Sequence, residues 1–462
     1  SLAVLPVSVL TSRSDTMDSL MMFFVVAALW LTVRATQSGS RRSLMLASVA
    51  LGLAFNVKLL EGLLAVPALA LLYAAAAPLS RRRRAADIAL ASSALTLVSL
   101  SWATVVTLAP GRHPFPVGSN GSVLDAMFNF NGVGRVSGAL AAGGVYAAPP
   151  GVLRLLSGVG SVSRLFGTML VAALALGLGA VIVEGRRRQL DRSRLAVAFS
   201  ISAVVWLACG VALLSYVTVF HARYLEMVTP AVSIVIGCAL ASIVRGLRAP
   251  GEAKVAALAL AASLAGVCWY TASLHGASVA RAAAFAAAAV IAATAVVLVR
   301  RAVRPVALLA AALALASCLS FPVGESEAIV RGARSDSVGL PVQPRAVEAA
   351  ISRFLRPRSA GFRYELAADD PLALAPLLIH DARPILPLTT FAAKPFLTLP
   401  QLQQAVRSGE VGYAVVGSYS CAGGRRGAAC LPTSRWIRSH GIDVSAAAGI
   451  PRAQRLRLYF LN

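Results

Sequence analysis

The sequence predicts a polytopic α-helical membrane protein that ends in a small α/β domain. Three observations lead there. Of 462 residues, 58% are hydrophobic and only 13% charged, and the mean hydropathy is +0.74. Ala/Leu/Val runs recur as far as Phe321, many reaching the ~20 residues that cross ~30 Å of hydrocarbon as a helix. Beyond Phe321 those runs stop, and Pro, Gly and short alternating patterns replace them. Backbone exposed to lipid must satisfy its own hydrogen bonds, so the apolar runs are helices.

The net charge of +24 does not point to nucleic acid, because the basic residues fall in short clusters between apolar runs. That is the pattern of cytoplasmic loops under the positive-inside bias. The clusters are Arg34/Arg41/Arg42, Arg81 to Arg84, Arg186 to Arg194, Arg245/Arg248/Lys254 and Arg300/Arg301/Arg304.

They order the crossings. Leu2 to Leu10 reads as the outer end of a helix whose start is expected upstream, and Leu20–Val33 runs inward. Ser43 to Ala77 is too long for one crossing and is interrupted at Asn56-Val57-Lys58, so it divides into two with an external turn near Lys58. Outward crossings follow at Ala86–Leu108, Ala196–Tyr216, Val255–Thr271 and Pro305–Phe321. Inward ones fall at Leu165–Val183, Met227–Ile243 and Ala282–Leu298. About ten complete crossings and a partial first helix make a membrane domain over residues 1–321. Their parity places residues 322–462 outside, in a multi-pass protein of the plasma membrane.

In that last part the patterns predict helices at Pro344–Phe354, Leu399–Arg407 and around Ser434–His440. Strands are expected at Phe362–Leu366, Pro384–Leu388, Gly412–Gly417 and Leu456–Leu461, in a mainly parallel sheet. Cys209, Cys238, Cys268 and Cys318 lie in apolar helices as packing residues. Cys421 and Cys430 form the pair in the soluble part, and an oxidising compartment makes them a disulfide candidate.

On this topology the external face collects Arg13, Asp15, Asp18, Lys58, Arg112, His113, Arg135, His221, Arg223, Tyr224 and Glu226. The charge bias would not place so many cations there, so they call for an anionic partner, and a lipid phosphate or pyrophosphate is the natural one. Arg offers phosphate a bidentate fork and Lys a point charge. Carboxylates beside them serve as general base or orient an acceptor hydroxyl. Ordinary roles compete: Asp18 as a helix N-terminal acid, Asp15 as a cap, Lys58 snorkelling to the interface. His221 and Glu226 have no further ligand at metal-site spacing. Asn129, Asn131 and Arg135 sit in a Gly-rich external loop, either a cover over the site or a connector.

The same stretches carry a resemblance. Arg13-x-x-x-x-Asp18, Gly52-Leu53-Ala54-Phe55-Asn56-Val57-Lys58-Leu59-Leu60, Arg112-His113-Pro114-Phe115-Pro116-Val117-Gly118-Ser119 and Phe128-Asn129-Phe130-Asn131-Gly132-Val133-Gly134-Arg135 resemble glycosyltransferase family 39. That is the protein mannosyltransferase and lipid A aminoarabinose transferase superfamily, with the GT-C fold. The similarity is nearest to its bacterial branch, in which an external domain follows the membrane part.

The resemblance implies inverting transfer of a mannose-like hexose from a polyprenyl-phosphate carrier to a lipid, glycan or protein acceptor on the external face. Asp18 matches the second acidic position near the donor pocket, with Asp15 the weaker candidate. Lys58 and Arg13 are placed for the donor phosphate, and Arg112, His113, Arg135, Arg223 and Tyr224 line the substrate site. The family's principal acidic residue belongs to a first external loop that this sequence does not include, so the chain by itself is expected to be inactive. No cofactor is implied, and metal dependence is left open.

Phosphate-binding Gly-Lys-Ser loops, dinucleotide fingerprints and metalloprotease His-Glu-x-x-His are missing from the sequence. The soluble domain lacks a nucleophile–base set and is expected to position an acceptor or pack on the external loops. The alternative class is a transporter or flippase of lipid-linked or small polar cargo. It would carry ionisable groups near the midplane of repeat-related halves, whereas here they gather at one face.

Overall fold

A computed structural model describes residues 2–14, 16–109, 122–137, 150–156, 162–186, 193–218, 220–249, 251–275, 278–299, 303–334, 344–389, 395–417, 430–454 and 456–462. The chain divides into two compact units, one of residues 1–102 and 135–336 and one of residues 103–134 and 337–462.

The helices up to residue 331 are α1 (Pro6–Ser12), α2 (Asp18–Ser38), α3 (Arg41–Lys58), α4 (Val66–Ala76), α5 (Arg81–Leu108), α6 (Gly134–Ser137), α7 (Thr168–Arg186), α8 (Arg194–Tyr216), α9 (Thr229–Arg248), α10 (Ala253–Ser273), α11 (Val279–Val299) and α12 (Val303–Arg331). Nine helices among the described residues are long and apolar enough to cross a membrane, and the protein is a polytopic helical membrane protein. Each expected crossing coincides with one of these nine or with α4. The tenth is therefore shorter than expected. At 11 residues, α4 extends only about 17 Å, because a 3₁₀ turn at Leu59–Leu63 takes up part of the run.

Capping explains several ends. Ser40 and Ser193 accept the amides of Ser43 and Ala196 at the starts of α3 and α8. Gly39 ends α2 in the left-handed region, φ 67°. The buried Arg154 donates to the carbonyls of Leu214 and Val217 at the end of α8, fixing where the chain turns toward α9. Helix α12 continues past the composition change at Phe321, with Pro322 inside it. Its polar last turns are held by Glu325, which pairs with Arg164 at 2.5 Å, and by Ser326, which donates to Val4 O at 3.0 Å.

The second unit contains α13 (Arg345–Leu355), β1 (Leu366–Ala368), α14 (Ala375–Asp381), β2 (Ile385–Pro387), α15 (Leu399–Arg407), β3 (Tyr413–Gly417), α16 (Pro432–His440), β4 (Ile442–Asp443) and β5 (Leu456–Phe460). Alternate residues of β1 and β3 face opposite cores. Leu366, Ala368 and Val415 pack with Ile351 of α13 and Leu377 of α14, while Ala367, Ala414 and Val416 pack with Leu402 of α15 and Ile437 of α16. Helices thus cover both faces of the sheet.

The sheet order is β2-β1-β3-β5-β4. Pairings β1–β2 and β1–β3 are parallel, and β3–β5 and β4–β5 antiparallel. This corrects the expectation of a mainly parallel sheet: the short strand β4 precedes β5 without a crossover helix, so β5 returns antiparallel. Strand β1 also begins later than expected. Arg383 holds the carbonyls of Ser359 and Phe362 in a turn, at 2.5 and 3.0 Å, and the ladder starts only at Leu366.

Candidate functional site

Three breaks between helices build the site. Asp18 is the first residue of α2, where a carboxylate meets the positive end of the helix dipole. Lys58 is the last residue of α3, and Leu59 after it adopts φ 53°, a costly conformation for a residue with a Cβ. The turn then folds back so tightly that a Cβ on Gly62 would lie 2.8 Å from the backbone of Ala54. That return brings Glu61 beside Lys58. The third break is the 3₁₀ turn Ala222–Val228 ahead of α9.

Lys58 Nζ sits between two carboxylates. It donates to Asp18 Oδ1 and lies 2.6 Å from Glu61 Oε2, with the Lys58 and Asp18 side chains only 9% and 1% exposed. The second oxygen of Asp18, Oδ2, is buried without a hydrogen-bond partner among the described residues. Lys58 also lies over the Tyr224 ring, 5.1 Å from its centroid. Arg135 donates to the Tyr224 hydroxyl, and Thr218 ties the Arg135 carbonyl through its amide and hydroxyl at 3.1 and 2.8 Å. His221 packs edge-on to Tyr224 at 5.3 Å. A third carboxylate, Glu226, is buried and accepts from Ser8 Oγ of α1 at 2.9 Å.

Burial first, and then the charges of Arg223, Arg135 and Lys58, push the His221 imidazole down to about 4. At neutral pH it is uncharged, a hydrogen-bonding group and not a cation. The cations facing a ligand are then Lys58, Arg135 and Arg223, set beside buried carboxylates. Such an arrangement can take an anion whose oxygens displace carboxylate from Lys58, and can leave a carboxylate free to accept a proton.

Of the residues expected from the sequence, the structure brings Asp18, Lys58, Arg135 and Tyr224 into contact, with Arg223 near enough for its charge to act on His221. Arg13 ends α1 and is exposed. Asp15, Arg112 and His113 lie outside the described residues, as does Cys421, whereas Cys430 is disulfide-bonded. Asn129 and Asn131 donate within their own turn, to Asp125 Oδ1 at 3.0 Å and to Ala126 O at 2.8 Å. Sequence reasoning missed Glu61 and Ser8. Glu61 had a signal, as an acid three residues after Lys58 inside an apolar stretch. Ser8 had none, because its partner Glu226 is 218 positions away. Among the described residues no group of His, Cys, Asp and Glu is arranged to hold a metal ion.

The fold and site define a polytopic membrane protein with a buried ionic cluster where its helices break. Residues 1–104 match the family model described as dolichyl-phosphate-mannose-protein mannosyltransferase. Residues 351–440 match the one described as the C-terminal region of putative mannosyltransferase YkcB-like proteins. In those two stretches the chain is similar to mannosyltransferases.

Among curated relatives it is similar to putative mannosyltransferase YkcB of Bacillus subtilis (strain 168), 32% identical over 145 residues. It is also similar to putative mannosyltransferase YycA of the same organism, 34% identical over 155 residues. Those alignments take in 31% and 32% of this chain but only 20% and 23% of the relatives. Two solved structures of ArnT from Cupriavidus metallidurans, one apo and one bound to undecaprenyl phosphate, superpose with TM-scores of 0.45 and 0.46. Their identities are 14% and 16%, with 99% of this chain covered and 76% and 77% of theirs.

Proposed function

We propose that the chain carries the donor wall of a membrane glycosyltransferase that moves a mannose-like hexose from a polyprenyl-phosphate carrier to an acceptor at the external face. The observation that carries this reading is the Asp18–Lys58–Glu61 cluster, buried at the ends of apolar helices and facing Arg135 and Tyr224. A lipid-linked sugar presents its phosphate at that depth. The donor phosphate takes Lys58, with Arg135 and Arg223 adding forks. The acceptor oxygen attacks the anomeric carbon, the bond from that carbon to the phosphate oxygen breaks, and polyprenyl phosphate leaves with its charge held by the three cations. The acceptor proton goes to a carboxylate, for which we assign Asp18, because its Oδ2 has no partner among the described residues.

The external placement follows from charge. Arg41 and Arg42 begin α3 and Lys58 ends it, so the basic cluster and the site lie at opposite ends of one helix. By the positive-inside bias the cluster is cytoplasmic and the site external. The domain after α12 shares the external side by the parity of the crossings.

Membranes containing the full-length protein, given radiolabelled polyprenyl-phosphate mannose, test the reading. Label should pass to an acceptor, and Asp18→Asn should abolish the transfer at unchanged protein level. Wild-type transfer by that variant would remove Asp18 from the reaction. Counterflow of cargo without a glycosylated product would replace the transferase with a transporter.

A further inference from the structure

The third carboxylate of the site is the one that no cation accompanies. Glu226 is 3% exposed and lies within the apolar span Ala222–Arg248, where an ionisable side chain is costly and points to function. Among the described residues it forms no ion pair. Its side chain takes one hydrogen bond, from Ser8 Oγ of α1 at 2.9 Å, and Ser8 is buried too. A carboxylate accepts a hydroxyl more strongly than a neutral amide oxygen does. The pair is therefore a firm tie between two segments 218 positions apart.

The turn that carries Glu226 needs such a tie. Ala222–Val228 is a 3₁₀ turn of seven residues, and 3₁₀ runs longer than about four residues are uncommon because their hydrogen bonds are poorly aligned. Helices α8 and α9 fix its last residues. Trp206 Nε1 donates to Met227 O at 3.0 Å, and Thr229 Oγ1 donates to Glu226 O at 2.9 Å. Val228 packs so closely on Gly210 that a Cβ there would overlap it. The residues that bear on the donor come earlier in the same turn: Arg223 itself, and Tyr224, whose hydroxyl receives Arg135. Tyr224 is also covered by Lys58, but Lys58 and Arg135 are the cations that the donor phosphate takes. The Ser8–Glu226 bond uses neither of them and persists when the donor is bound.

We propose that Glu226 is a positioning residue. Held by Ser8, it locks the Ala222–Val228 turn so that Arg223 directly, and Arg135 through Tyr224, meet the phosphate of the lipid-linked donor. Glu226 itself touches neither donor nor acceptor. This inference rests on the donor-site reading given above. It accounts for a buried carboxylate that is neither the assigned proton acceptor nor an ion-pair partner of Lys58.

The test uses the full-length protein, with polyprenyl phosphate as the binding probe and the radiolabelled donor for kinetics. Ser8→Ala/Glu226→Leu replaces both partners by apolar groups, a change close to neutral for stability, so the unfolding temperature should hold. Kd for polyprenyl phosphate and KM for the donor should each rise about tenfold, with kcat unchanged. Glu226→Gln keeps an acceptor for Ser8 and should restore most of the affinity. Unchanged Kd and KM in the double variant overturn the proposal. An unfolding temperature that falls in step with affinity would make the pair merely structural and overturns it as well. A lost kcat in Glu226→Gln would make Glu226 a proton-transfer group instead of a positioning one. If the wild type binds polyprenyl phosphate but transfers no sugar, the transferase reading fails while the Kd comparison still decides the role of Glu226. No binding by the wild type removes both.

Discussion

Lys58, the last residue of α3, closes an ion pair with Asp18, the first residue of α2, across 40 positions of chain. Neither residue is in the interior of its helix. The pair exists because two helix ends meet, and Glu61 is added to it by the tight return of the chain after Leu59. A lysine held between the buried Asp18 and the part-buried Glu61 is costly to interrupt.

Breaking this pair from one side should be expensive. Lys58→Met leaves two carboxylates facing each other, and removing one member of a buried pair costs about 3–5 kcal/mol. Thermal unfolding of the detergent-solubilised protein is the measurement. The double variant Asp18→Asn/Lys58→Met should cost less than the sum of the two single changes. Strict additivity would mean that the two groups do not interact.

Tyr224→Phe deletes the hydroxyl that receives Arg135 but keeps the ring over which Lys58 lies. A hydrogen bond to a charged group contributes about 1.5–3 kcal/mol to the folded state, so the unfolding temperature should fall. With Arg135 no longer held in place, KM for the lipid-linked donor should rise as well. An unaltered KM would take Arg135 out of donor binding.

Gly62→Ala tests the geometry of the return. Its Cβ would lie 2.8 Å from the Ala54 carbonyl carbon and 2.9 Å from its oxygen, so the turn must lift from α3 and carry Glu61 with it. Overpacking of this kind costs about 1–3 kcal/mol. Transfer activity should fall together with stability. Full activity in Gly62→Ala would show that the position of Glu61 does not matter.

The second unit should lose stability as pH rises from acid to neutral. Burial, with Asp381 beside it, pushes Glu365 up to about 7 from 4.5, and burial is the main cause of a rise in Asp369 to about 6 from 3.8. A group with a raised folded pKa favours the folded state below its unfolded pKa. That contribution disappears as pH climbs through the folded value. The window is therefore about pH 4 to 7. Asp381 is lowered, although burial opposes this, chiefly by hydrogen bonds from Ser352 and Arg356, and its contribution is lost only below the ordinary aspartate range. Protection factors of the β1 and β3 amides in the full chain, corrected for intrinsic exchange, should decline across the window. Glu365→Gln should flatten the decline, and an unchanged slope would reject this assignment.

Cys430 is disulfide-bonded. Alkylation should label it only after reduction, and its unreduced peptide should carry Cys421. A disulfide of this kind contributes about 2–4 kcal/mol, so Cys430→Ser should lower the unfolding temperature of its unit.

The sequence by itself determined the membrane class, nine of the ten expected crossings, and most of the later elements. Helix α15 begins and ends at the residues expected, and β2, β3, β5, α13 and α16 fall within two residues of expectation. Apolar length, charge clusters and strand alternation are local signals, legible without knowing what lies across from them. The short α14 begins with Pro376 at its first turn and has no long apolar period, so it left no such mark. Strand β1 was shifted because Leu366-Ala367-Ala368 has little strand propensity, and its place is set by the strands on either side.

The site divides in the same way. Asp18, Lys58, Arg135, Arg223 and Tyr224 were visible as ionisable or amphipathic groups at the ends of apolar runs. Their partners were not. Only the tertiary structure set Glu61 against Lys58, Tyr224 beneath both Lys58 and Arg135, and Glu226 against Ser8. Composition shows where a charge is expensive. Only the packing of distant helix ends decides which opposite charge stands beside it.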